Sequence, residues 1–176
     1  MTILLSQVKI ADTRSPFNGL VKDILIKDQQ IVSITDKYKG VVDQTIDLKN
    51  SMVSPGFIDP FVHFCDPGME HRETLTTGSN AAIQGGFTTV FVVPNTTPVI
   101  DNKSQVTYVK QHSQELPIHI LPIGALSKKI EGKDLAEMID MHSNGAIAFS
   151  GGQYPVQSTL LFLKALQYVK AFDGVV

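Results

Sequence analysis

These 176 residues contain one cysteine, no large excess of either charge and no long apolar run. A single cysteine cannot close an internal disulfide, which fits a reducing compartment. The 15 Lys+Arg stand against 17 Asp+Glu, a formal net charge of −2, and no basic stripe is present. The electrostatic footprint that grips phosphates is therefore missing, and nucleic acid is not an expected partner. The first ten residues carry a single aliphatic run, Ile3 to Leu5, before Lys9. That is too short for the apolar core of a signal peptide or for a membrane span. What is present is a hydrophobic share of 43% with a mean hydropathy of +0.07. This is enough to bury a core, and it excludes a disordered chain. The expected setting is the cytoplasm, away from membranes.

Two textures divide the chain. Residues 1–52 read as short strands: ILLSQVKI (3–10), then LVKDILIKD (20–28) and QQIVSITD (29–36), which meet at Asp28-Gln29-Gln30, then VVDQTIDL after Gly40. Alternation of β-branched residues between turn residues predicts a small antiparallel β-layer. From residue 53 to 176 apolar runs alternate with helix-length stretches. VSPGFIDPFVHF precedes ETLTTGSNAAIQGG, TTVFVVPN precedes KSQVTYVKQHSQEL, IHILPIGA precedes KDLAEMIDMHS, and GAIAFS precedes VQSTLLFLKALQYVKAF. That is the pattern of a parallel sheet covered by helices, an α/β fold with about four βα units. In the last helix Leu160, Leu163, Leu166 and Val169, with Leu161 and Ala165, form a stripe expected to pack on the sheet. Gly174-Val175-Val176 reads as the start of a fifth strand. A closed (β/α)8 barrel takes about 250 residues, so these units fill only its N-terminal part. Such a part leaves sheet edges unpaired, and the remaining half of the barrel, a second polypeptide or an assembly is expected to cover them.

The densest cluster of unusual residues is Pro55-Gly56-Phe57-Ile58-Asp59-Pro60-Phe61-Val62-His63-Phe64-Cys65-Asp66-Pro67-Gly68, followed by Glu70-His71-Arg72-Glu73-Thr74. With Gly85-Gly86-Phe87-Thr88-Thr89 and Val93-Pro94-Asn95-Thr96, it resembles the dihydroorotase branch of the amidohydrolase superfamily, in the class related to multifunctional pyrimidine-synthesis enzymes. The likeness runs from about Ile46 to Val176. It implies a metal-binding barrel beside a small β-domain, and an enzyme that interconverts carbamoyl aspartate and dihydroorotate. In such enzymes one or two Zn²⁺ ions generate hydroxide near neutral pH and polarise the ring carbonyl.

The resemblance also shows what has changed. A His-x-His pair supplies the family's first ligands, because residues i and i+2 of a strand point to one side. Here the pair is Phe61-Val62-His63, and phenylalanine has no lone pair to donate. The family's substrate-clamping arginine is replaced by Cys65, which has neither a permanent charge nor a forked donor set. After the fourth strand, where the family reads Thr-Asp-Asp-Gly, this chain reads Ser150-Gly151-Gly152-Gln153. Of the three ligand positions in view, His63 alone is kept. Asn95 matches a substrate-contacting asparagine, and Asp59 the acidic residue just before the histidine pair. A catalytic zinc needs about three protein ligands plus water, and without the ion that water loses its depressed pKa.

The other candidates carry less. His63 and Cys65 at i and i+2 suggest an N/S metal pair or a thiol–imidazole couple, but a lone buried cysteine is usually a small hydrophobe. His112 and His142 fall on helices and read as surface residues, while His119 reads as a core or rim residue of a strand. Gly85-Gly86 lacks a phosphate-loop ending and reads as a helix C-cap. Asn95-Thr96-Thr97 and Asn102-Lys103-Ser104 match the glycosylation pattern by coincidence. The expectation is a dihydroorotase-like protein of pyrimidine biosynthesis that keeps the fold and lacks the reaction. It would act as a structural partner of aspartate transcarbamoylase or of another copy of itself, with no cofactor. The alternative is an active zinc enzyme, or another cyclic amidohydrolase, whose ligands are completed by residues beyond 176.

Overall fold

The computed structural model describes residues 1–176, which form two compact units, Met1–Pro55 and Gly56–Val176. The first unit is one sheet of β1 (Thr2–Ile10), β2 (Val21–Lys27), β3 (Gln30–Thr35), β4 (Gln44–Asp47) and the short β5 (Met52–Val53). β2 and β3 form the expected hairpin, turning at Asp28 and Gln29, both with positive φ. Two successive positive-φ residues match the right-handed twist of the strands they join. The layer is not wholly antiparallel, however. β1 pairs antiparallel with β2 but parallel with both β4 and β5. Strand periodicity reports which face a residue takes, not the direction of its neighbour, so the sequence pattern left this unseen.

A β-bulge interrupts β1 between Leu5 and Val8, with Gln7 at φ 56°. The extra residue shifts the core-facing phase, so Leu5 packs against the same cluster as Val8 and Ile10, where strict alternation would separate them. Asp23 holds the bulge. It is buried, and it accepts hydrogen bonds from Gln7 N (2.9 Å), Gln7 Nε2 (3.0 Å), Tyr38 N (2.9 Å) and Ser6 Oγ (3.3 Å). Burial pushes its carboxyl upward, but these donors outweigh burial and hold it below the usual aspartate value.

The second unit alternates β6 (Phe57–Val62), α1 (Leu75–Gln84), β7 (Phe87–Val92), α2 (Lys103–His112), β8 (His119–Ala125), α3 (Met138–Ser143), β9 (Ala148–Ser150) and α4 (Thr159–Val169). The four strands are parallel, in the order β6-β7-β8-β9. Phe149 N donates to Val175 O at 2.8 Å, so the last residues begin to run beside β9. Each helix starts where a polar side chain satisfies its free N–H groups. Thr74 and Thr77 make a reciprocal box at α1, Asn102 accepts from Ser104 N at α2, and Ser158 accepts from Leu161 N at α4. Asn102, one of the two glycosylation-pattern asparagines, is thus a helix cap. α1 ends at Gly85 with Gly86 at φ +81°, as the paired glycines predict.

Two expectations fail here. α3 begins only at Met138, because Leu135 is drawn into a β-bridge with Ser127. The stripe on α4 covers the sheet only in part: Leu160 and Leu163 are 66% and 50% exposed, and Leu166 is exposed as well. The buried line is Ala165 and Val169, flanked by half-buried Leu161 and Tyr168. α4 carries two apolar stripes, and periodicity alone does not say which one meets the sheet. The unit's core is formed by Val90, Val92, Ile120, Phe149 and the helix residues Leu75, Val106, Val109, Met138 and Met141.

Candidate functional site

Parallel strands end at one edge of their sheet, so the loops that follow β6, β7 and β9 gather there. β6 stops at Val62, and His63 is the next residue; Val93 N donates to Val62 O at 3.0 Å and brings the post-β7 segment alongside. His63 Nε2 donates to the main-chain carbonyl of Asn95 at 2.8 Å. Gln153, three residues past β9, meets both of them. Its side-chain amide lies 3.2 Å from His63 Nδ1, and its main-chain N–H donates to Asn95 Oδ1 at 3.0 Å. Asn95 is only 9% exposed, and its Nδ2 is buried without a partner.

The loop fits this closely because it is glycine. Gly152 has φ +60°, and a Cβ there would overlap Asn95 Oδ1; a Cβ on Gly151 would crowd the Tyr154 carbonyl. Of the residues singled out in the sequence, His63, Asn95, Gly151 and Gly152 therefore come together. The others do not join them. Phe61 is 51% exposed, and its N–H donates to Asp59 Oδ1 at 3.0 Å. Asp59 lines a cleft with Val62, Phe64, Gly78 and Ala82, on the α1 side of β6. Cys65 is buried at φ 63°, and its Sγ lies 3.7 Å from the main-chain oxygen of His63. No thiol–imidazole couple forms, because the strand alternation that would align the two side chains has ended at Val62. His119 stands exposed at the opposite, N-terminal end of β8.

Beside this cluster lies a second polar pair that the sequence reading did not find. Asp66 is buried and accepts from Leu75 N (3.1 Å) and Tyr108 Oη (2.9 Å), tying the post-β6 loop to α1 and α2. Burial of the phenol, then its hydrogen bond and proximity to Asp66, push Tyr108 up to about 12. Only the position of Asp66 inside the family-like string could have signalled it. Gln153 had a weaker signal still, its place after the end of a parallel strand.

The zinc that the resemblance implies can be tested against these donors. A nitrogen ligand must present a free lone pair. His63 presents none: a carbonyl oxygen only accepts, so Nε2 carries the proton, and Nδ1 faces the Gln153 amide. No three His, Cys, Asp or Glu side chains converge anywhere in these residues. The donor set here does not fit the ion, and no chemical step is assigned to one.

Four parallel βα units with polar side chains collected where the strands end form the first part of a (β/α)8-type barrel. The chain belongs to the dihydroorotase-like family, whose model, described as Dihydro-orotase-like, matches residues 50–176. It is 36% identical to a dihydroorotase of Syntrophus aciditrophicus across the whole chain, and 39% identical to one of Pelotomaculum thermopropionicum across 88% of it. It spans 42% and 36% of those two relatives. Among solved structures, 98% of the chain aligns with 39% of an L-hydantoinase (dihydropyrimidinase) from Arthrobacter aurescens, at a TM-score of 0.81 and 23% identity. A dihydroorotase crystal structure aligns over 96% of this chain and 49% of that one, at a TM-score of 0.68 and 17% identity. These structural likenesses establish the fold. No helix is long and apolar enough to cross a membrane.

Proposed function

We propose that the protein is a catalytically silent dihydroorotase-like component of pyrimidine biosynthesis that acts in the cytoplasm as a structural or assembly partner. Its partner is aspartate transcarbamoylase or a second copy of itself. The observation that carries this reading is the state of His63, the one retained ligand position, whose two ring nitrogens both face protein groups. Phe61 and Gly151 stand where the family's other two donors in view would be, and Cys65 stands in place of its arginine. The packing signals are kept. Loss confined to polar site residues, with folding residues retained, is what a binding or assembly role leaves behind.

The test is made on the intact protein from its native source. Carbamoyl aspartate and dihydroorotate are each supplied with and without added Zn²⁺, and the protein is run on a sizing column with and without aspartate transcarbamoylase. No turnover in either direction, and co-elution with that enzyme or migration as a multimer, is the expected result. Turnover that a chelator abolishes would overturn the reading and leave the active zinc enzyme in its place.

A further inference from the structure

We infer that Gln153 is a positioning residue. Together with the Asn95 carbonyl, it clamps His63 as the Nε2–H tautomer and makes that histidine a strut between three strand-end loops, closed to metal. The Asn95 main-chain oxygen, 2.8 Å from Nε2, has no proton to give, so the ring must donate there. In the neutral ring Nδ1 is then the acceptor, and the group 3.2 Å away is a Gln153 amide nitrogen, a donor. The same residue fastens itself from its other end, where its main-chain N–H reaches Asn95 Oδ1 at 3.0 Å. One side chain and one peptide thus close a ring of hydrogen bonds through the segments that follow β6, β7 and β9.

The two glycines make this closure possible. At Gly152 any side chain would overlap Asn95 Oδ1, and at Gly151 it would crowd Tyr154 O. Gly152 N also donates to Ser150 Oγ at 3.0 Å, pinning the turn that delivers Gln153. The geometry is a direct protein–protein clasp in the place where the resemblance puts an ion. The inference concerns how His63 is held, not whether the protein turns over substrate. Turnover with His63 still held as the Nε2–H tautomer would overturn the preceding reading alone, whereas a free Nδ1 without turnover would overturn this one and leave the protein catalytically silent.

Nitrogen-15 NMR of the wild-type protein tests the tautomer. The expected pattern is a protonated Nε2 and a pyridine-type Nδ1 for His63, both unmoved by added Zn²⁺. A protonated Nδ1 with a bare Nε2, or a zinc-dependent shift at His63, would overturn the inference. Acylation by diethyl pyrocarbonate, located by peptide mass spectrometry, tests the role of Gln153, with His71, His112, His119 and His142 as internal references. Gln153→Ala should raise the His63 rate about tenfold, the equivalent of one lost hydrogen bond, and leave the other four unchanged. An unchanged His63 rate would remove Gln153 from the clamp. If the variant does not fold, the wild-type spectrum decides alone.

Discussion

Removing one oxygen from Tyr108 probes the loop that follows β6. In Tyr108→Phe the ring remains, but Asp66 Oδ1 loses the donor it holds at 2.9 Å while staying buried. Leaving a buried acceptor unpaired costs about 1–3 kcal/mol. The phenol adds a pH signature: burial first, then the hydrogen bond to Asp66 and its charge, push it from an ordinary ~10 up to about 12, so ionising it is disfavoured in the folded protein. The folded protein holds the phenolic proton more tightly than the unfolded chain does. This stabilisation is therefore complete below the unfolded value near 10, and it drains away as pH rises through the folded value of about 12. Urea unfolding of both proteins, followed by circular dichroism from about pH 8 to 12, reads the difference directly, because every other titrating group is common to the two. The variant should be about 2 kcal/mol less stable near pH 8, with most of that gap closed near pH 12. A gap that stays constant with pH, or no gap near pH 8, would refute the account of the Asp66–Tyr108 pair.

Asp23→Asn should destabilise the first unit by about 1–3 kcal/mol at neutral pH, since the carboxylate accepts from Gln7, Tyr38 and Ser6. Because its folded value lies below the ordinary one, this contribution is present above the unfolded aspartate value of about 3.9 and is lost as pH falls through the folded value. Acid titration of the two proteins should therefore show their stabilities converging only below that point. In the second unit, Phe149→Ala removes a side chain that is 1% exposed and should cost about 3–5 kcal/mol in chemical denaturation. Leu163→Gln, on the uncovered stripe of α4, should change stability by no more than about 0.5 kcal/mol, and a larger loss would mean that this stripe is buried in the protein.

The βα order of the second unit was legible because its apolar runs and helix stretches differ in period, and caps such as Gly85-Gly86 mark the boundaries. Strand direction in the first unit was not. β4 follows β3 by a short link, and local pattern gives no reason for it to pass the hairpin and lie parallel to β1. The bulge at Gln7 was hidden for a similar reason, since its support comes from Asp23, 16 residues away. At the site, the residues defined by the family-like string were visible: His63, Asn95 and the glycines after β9. Their partner was not. Gln153 carries no motif, and its role depends on a contact with a residue 90 positions earlier. The uncovered stripe of α4 shows the limit of periodicity, which detects a helix's apolar faces without ranking them.

The parallel pairing of β1 also bears on how the first unit is made. Its central strand leaves the ribosome first, while the strands that flank it on the far side, around Thr45 and Val53, emerge last. A chain exposed only as far as residue 40 would hold a finished β2–β3 hairpin against β1 with one rim open, able to recruit whatever extended segment lies nearest. The time residues 36–53 take to emerge thus sets how long that rim goes uncovered.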